Sequence, residues 1–139
     1  MSGHQKHLSV AVVDDDPRIR ELLALELADL GSTATVYASA EELLVDPQCP
    51  GFDLLLLDLV LPGIDGFKAL QRLRAKGHQG QIVIISANWN LGRSQQLIAA
   101  GANDYIVKTS LLEQLPELLA NLLPGLKPCP GQERALQSA

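Results

Sequence analysis

Five short stretches of the chain read as strands: residues 8–13, 33–37, 53–57, 81–86 and 104–107. Several are apolar throughout, as in the run LLLL at 54–57. A strand with one wet face alternates apolar and polar side chains, so unbroken Val, Ile and Leu require cover on both faces. The segments between them carry a different period. Ile19, Leu22, Leu23, Leu27 and Leu30 recur every three or four residues, which puts them on one face of a helix that Gly31 can end. Segments 40–45, 67–76, 91–100 and 111–123 fill the remaining gaps, each closing near Gly or Pro. Strand and helix thus alternate five times. The simplest arrangement is an α/β doubly wound, five-stranded parallel sheet in the order 2-1-3-4-5, with right-handed crossovers.

The last helix carries one local conflict. Ser110 and Glu113 have capping-box spacing, yet Pro116 falls inside the predicted span and removes a backbone donor, so a late start or a kink is expected there. Beyond it, five of the eight residues from 124 to 131 are Pro or Gly. The expected organisation is one folded domain over 8–123 followed by a linker or flexible tail over 124–139.

Composition narrows the class. At 139 residues with 47% apolar side chains, the chain can bury about two thirds of its unfolded surface, enough for one core without metal or disulfide staples. A formal charge of -5 argues against nucleic acid as a direct partner. Cys49 and Cys129 are far apart and flanked by proline, which is neither a disulfide framework nor a zinc pattern. The segment MSGHQKH has no apolar export core, and no stretch is long enough to span a bilayer, so a cytoplasmic setting without membrane contact is expected.

Polar residues at strand ends carry the chemistry, because ligands of such sheets bind outside the carboxyl ends of the strands. Asp14, Asp15 and Asp16 follow the first strand, Asp58 the third and Lys108 the fifth, while Ser86 closes the fourth. In the predicted order strands 1, 3, 4 and 5 are neighbours, so these groups converge on one shallow cleft. Crowded carboxylates repel unless a cation joins them. Oxygen ligands with room for water suit Mg2+, which favours carboxylates plus a substrate phosphate. A phosphoryl group is the implied substrate, with Asp58 as its nucleophile and the Lys108 ammonium neutralising its oxygens. Taken singly, each aspartate is more simply a strand end or helix cap.

Together VVDDDP, LLLLDLVLPGIDG, IISA and AGANDYIVK resemble the receiver domain of bacterial two-component response regulators, over about residues 8–123. The separations fit too: 43 positions from Asp15 to Asp58, 28 more to Ser86 and 22 more to Lys108. The resemblance implies a flavodoxin-like (βα)5 fold and transfer of phosphate to Asp58 from the phosphohistidine of a histidine kinase or histidine phosphotransfer protein. It implies Mg2+ held by Asp14, Asp15, Asp58 and the Val60 carbonyl, with Asp16 outside the set. Ser86 and Lys108 would bind phosphoryl oxygens. Ser86 and Tyr105 would form the switch that remodels the face of the fourth helix, fifth strand and fifth helix, where an output partner or domain is controlled. The domain would be no enzyme beyond its own phosphotransfer and dephosphorylation.

Two departures from the family pattern matter. Thr109 stands where proline usually follows the lysine, which favours a trans bond and a different route for the Lys108 loop. Val60 and Asn88 occupy variable positions beside the phosphate, and Val60 offers no hydrogen bond to an attacking water, so slow self-dephosphorylation is expected. Trp89 fits the cleft edge or a partner surface, and more simply covers a core edge. His4, His7 and His78 are expected in solvent. The stripe at Leu111, Leu115, Leu118, Leu119 and Leu122 buries the last helix, and its outer edge leaves room for a homodimer.

Two rival readings make different predictions. A phosphatase of the haloacid dehalogenase type would use Asp14 and Asp16 in an Asp-x-Asp motif, but Arg18 and the short chain fit it poorly and Asp58 would be unexplained. A receiver-like docking module would never turn over phosphate.

Overall fold

The computed structural model describes residues 8–122. Five parallel strands, β1 (Ser9–Val13), β2 (Thr33–Tyr37), β3 (Leu54–Asp58), β4 (Gln81–Ser86) and β5 (Asp104–Val107), form one sheet in the order β2-β1-β3-β4-β5. Between and after them run α1 (Pro17–Asp29), α2 (Ala40–Val45), α3 (Gly66–Ala75), α4 (Leu91–Ala99) and α5 (Lys108–Leu122). The expected architecture and strand order are those observed.

The inner strands β1, β3 and β4 are largely apolar because successive side chains enter two different cores, whereas the edge strand β2 stays partly exposed. Leu55 and Leu57 face Leu43, Leu70, Leu73 and Leu97 of α2, α3 and α4. Leu54 and Leu56 face Leu23 and Leu27 of α1 and Leu111, Leu115 and Leu119 of α5. A slip of one residue would exchange the two faces, so the register is tightly specified. It pairs Val13 with Leu57 and Asp58 with Ile85, which aligns the carboxyl ends of the central strands along one edge.

The opposite edge is tied by Arg74. Its guanidinium donates to the carbonyls of Gly101 at 2.9 Å, His78 at 2.8 Å and Gly80 at 3.0 Å, and to Asn103 Oδ1 at 2.7 Å. One planar side chain thus satisfies four acceptors from two connections, α3–β4 and α4–β5, that would otherwise need water.

Two expectations are corrected here. The last helix starts early rather than late: Lys108 follows β5 directly, so Ser110 lies within the helix and caps nothing. Pro116 is accommodated inside it on the exposed side, where water can satisfy the carbonyl it leaves unpaired, while Leu111, Leu115 and Leu119 hold the buried side on the sheet. His78 is buried, not solvated, and among the described residues neither ring nitrogen has a hydrogen-bond partner. His4, His7, Cys129 and the tail over 124–139 lie outside the described residues.

Burial, and secondarily the Arg74 charge, hold the His78 imidazole below its usual pKa of 6.5. The unfolded chain therefore binds the proton more readily than the folded one. The stability linked to this group is complete above the unfolded pKa and is lost as pH falls through the lower folded value. Lowering pH from 7.5 to 5.5 is expected to reduce the Tm of the wild type by about 3–6 °C more than that of His78→Leu. Parallel Tm-against-pH curves for the two proteins would remove His78 as the cause.

Candidate functional site

The acids sit where buried strands stop. Asp14 follows β1 and is wholly buried; Asp58 is the last residue of β3 and 3% exposed. Both use one oxygen to turn the chain away from the sheet. The Asp16 N–H donates to Asp14 Oδ1 at 2.9 Å, and the Val60 N–H donates to Asp58 Oδ1 at 3.2 Å. Such two-residue side-chain turns hold each carboxylate rigidly at its strand end. The second oxygen of each faces Lys108, whose Nζ lies 2.8 Å from Asp14 Oδ2 and 3.1 Å from Asp58 Oδ2. Asp15 is exposed, yet it offers an oxygen that, with one each from Asp14 and Asp58, forms a trio mutually within 4.8 Å.

The cluster thus holds three carboxylates and one ammonium, which contacts two of them. Burial, and then the Asp14 charge, push the Asp58 carboxyl above the ordinary aspartate range, although Lys108 opposes this. Burial works to depress Lys108, but its hydrogen bonds to Asp14 and Asp58 prevail and its pKa is raised. A surplus of close, hard oxygen donors, one of them open to solvent, fits a divalent cation that keeps part of its water. Asp14, Asp15 and Asp58 are the residues that could hold it.

The other sequence candidates lie around this centre. Ser86 ends β4, pairs with Val107 immediately before Lys108, and is buried; its Oγ accepts from the Asn88 N–H at 3.4 Å rather than bonding to the acids. Val60 is exposed beyond Asp58. Tyr105 lies on β5 opposite Ile84, with its ring buried and its hydroxyl donating to the Asn88 carbonyl at 2.9 Å. Asp16 stands apart as the cap of α1, accepting from the Arg18 N–H. All peptide bonds among the described residues are trans, including the one before Thr109, and Lys108 still reaches the acids.

Sequence reasoning did not find two supporting residues. Arg20 of α1 donates to the Asp14 carbonyl at 2.8 Å, fixing the backbone between the two acids. Glu41 of α2 accepts from the Ile64 N–H at 2.9 Å and so tethers the loop that follows Asp58. Each is one charge among many on a helix surface, and no local pattern marks it.

A doubly wound parallel sheet with its acids at the ends of β1 and β3 and a lysine at the end of β5 defines a flavodoxin-like domain with a charged cleft at the strand ends. The family model of the response regulator receiver domain matches residues 10–120, and the chain belongs to that family, a signalling domain of two-component systems. It is 34% identical over 116 residues to the two-component response regulator PhoP of Pseudomonas aeruginosa, covering 84% of this chain and 52% of that protein. It is 32% identical over 118 residues to the uncharacterized transcriptional regulatory protein YkoG of Bacillus subtilis, covering 85% and 50%. The chain thus spans about half the length of these curated relatives. Among solved structures, the BeF3-activated N-terminal receiver domain of Klebsiella pneumoniae RstA aligns with a TM-score of 0.72 at 30% identity, over 86% of this chain and 99% of that one. No described helix is long and apolar enough to cross a membrane.

Proposed function

We propose that Asp58 accepts a phosphoryl group from the phosphohistidine of a histidine kinase or histidine phosphotransfer protein. The observation that carries this is the Lys108 ammonium held between Asp14 and Asp58, with Asp15 beside them. An Asp58 oxygen forms the new P–O bond, while the P–N bond breaks and its electron pair stays on the departing imidazole. Lys108, already at the cleft, pairs with a phosphoryl oxygen as charge arrives, and the Ser86 hydroxyl donates to another. Asp14, Asp15, Asp58 and the Val60 carbonyl would hold Mg2+, which when bound supplies positive charge to the phosphoryl oxygens and relieves the repulsion among the acids.

Output follows from contacts that differ between the two states. A phosphoryl group gains bonds to Ser86 and Lys108 in only one arrangement, which biases Ser86 and Tyr105 and hence the face of α4, β5 and α5. An output partner or domain reads that face, with the segment over 124–139 as linker and the cytoplasm as the setting.

The test is intact-mass measurement of the protein with acetyl phosphate. One phosphoryl group should be incorporated with millimolar Mg2+ and none after chelation. It should persist for minutes or longer, because the Val60 side chain offers an attacking water no hydrogen bond. Failure of incorporation with both acetyl phosphate and phosphorylated kinases would leave the docking-module reading. Loss by Asp14→Asn with retention by Asp58→Asn would point to the phosphatase.

A further inference from the structure

The buried chemistry that phosphoryl transfer leaves unused gathers away from the acids, where α2 and α3 end. A partly open cleft of about 550 Å³ lies there between Leu44, Val45, Pro47 and Pro50 from the chain leaving α2 and Leu73 and Lys76 of α3. That volume is in the range of small-molecule sites, and the walls are mostly apolar. The cleft shares no residue with the cluster around Asp58.

His78 and Cys49 also line it. His78 is 8% exposed, and neither Nδ1 nor Nε2 has a hydrogen-bond partner among the described residues. Folded proteins rarely bury polar atoms in this way, because the lost water is not replaced. Burial, and then the Arg74 charge, hold the ring below its usual pKa, so at neutral pH it is uncharged and offers one donor and one acceptor. With no hydrogen bond to fix its orientation, a turn of the ring towards the cleft breaks none.

The charges at the rim are opposite in sign and both engaged. Asp46 accepts from the Tyr37 hydroxyl at 2.5 Å and the Gln48 N–H at 2.9 Å, while Lys76 donates to the Leu44 carbonyl at 3.3 Å. Burial pushes the Cys49 thiol up, so it stays protonated and acts as apolar wall. A charged ligand meets no free counterion in this cleft. An uncharged one meets apolar walls and an imidazole that lacks a partner.

We infer that this cleft binds a small, uncharged, largely apolar molecule through one hydrogen bond to His78. The site is independent of phosphoryl transfer to Asp58 and stands or falls separately from it.

Indole is the probe, with N-methylindole, which lacks the N–H donor, and benzoate, an anion of similar size, as comparisons. Titrated into the full chain at neutral pH, indole should shift the amide NMR signals of residues 44–49 and 76–79 saturably, with a Kd of about 1 mM or tighter. It should also move a ring-nitrogen signal of His78 as the hydrogen bond forms. His78→Leu should weaken indole about 3–10-fold, the loss of one hydrogen bond, and leave N-methylindole unchanged. The ring-nitrogen signal tests the contact in the wild type, without reliance on how the variant folds. Shifts that do not saturate, or that spread evenly over the domain, overturn the site. Unmoved His78 ring signals on saturation, or wild-type indole affinity in His78→Leu, overturn the imidazole as its anchor. Tighter binding of benzoate than of indole overturns the uncharged class.

Discussion

Asp58→Asn is expected to reduce phosphoryl incorporation to background while leaving the fold intact or firmer. The amide has the size of the carboxylate but lacks the anionic oxygen that attacks phosphorus, so the lost step is chemical. Stability should change in the opposite direction. Burial and the Asp14 charge raise the Asp58 pKa, which means that the folded state disfavours the anion present at neutral pH. Removing that charge relieves repulsion, and Lys108 keeps Asp14 as a partner at 2.8 Å. In Mg2+-free buffer the variant should melt at or above the wild-type temperature, by an amount equivalent to at most about 1 kcal/mol. Intact mass and thermal melting on the same samples check both halves. Undiminished incorporation would remove Asp58 as acceptor, and a large drop in melting temperature would show that its charge supports the fold.

Gly66→Ala is expected to damage stability and site together. A Cβ there would stand 2.4 Å from the Asp58 carbonyl oxygen and 2.7 Å from Leu59 Cα, both backbone atoms at the end of β3. Neither can rotate aside, so α3 must move off the sheet or the strand end must shift. The Gly66 N–H also donates to the Leu59 carbonyl at 2.9 Å, which ties the two movements. Overpacking of this kind costs about 1–3 kcal/mol, or roughly 5–10 °C in Tm here. Displacing Asp58 by a fraction of an ångström should also lower the rate of incorporation roughly tenfold or more. Gly51→Ala is the control, since nothing lies within 4 Å of its added methyl group. Equal behaviour of the two variants would show that the close approach at Gly66 yields easily.

The two variants touch different levels of legibility. Asp58 was readable because it ends a run of four leucines, and a charge after a run buried on both faces can only emerge at the sheet's edge. Gly66 reads as an ordinary turn residue; the backbone it approaches belongs to another turn of the same loop. The early start of α5 escaped notice because Ser110 and Glu113 imitate a cap, and the capping pattern is local whereas the pull of Leu111 and Leu115 into the core is not. His78 sits in a stretch of Gly and Gln that looks solvated, and its burial comes from the chain returning through β4.

What the sequence determined by itself was whatever short-range periodicity encodes: five strands, the inner ones buried on both faces, the helices between them, their order, and the set of acids, hydroxyl and lysine at the strand ends. Tertiary structure alone decided which oxygens meet. The Lys108 ammonium bridging Asp14 and Asp58, Arg20 on the Asp14 carbonyl, Glu41 on the loop after Asp58 and Trp89 over Tyr105 all join residues from different elements. Hydrophobic burial places whole strands within a residue of register and can be read from pattern. A hydrogen bond or ring stack depends on tenths of an ångström between atoms brought together only when the sheet has closed.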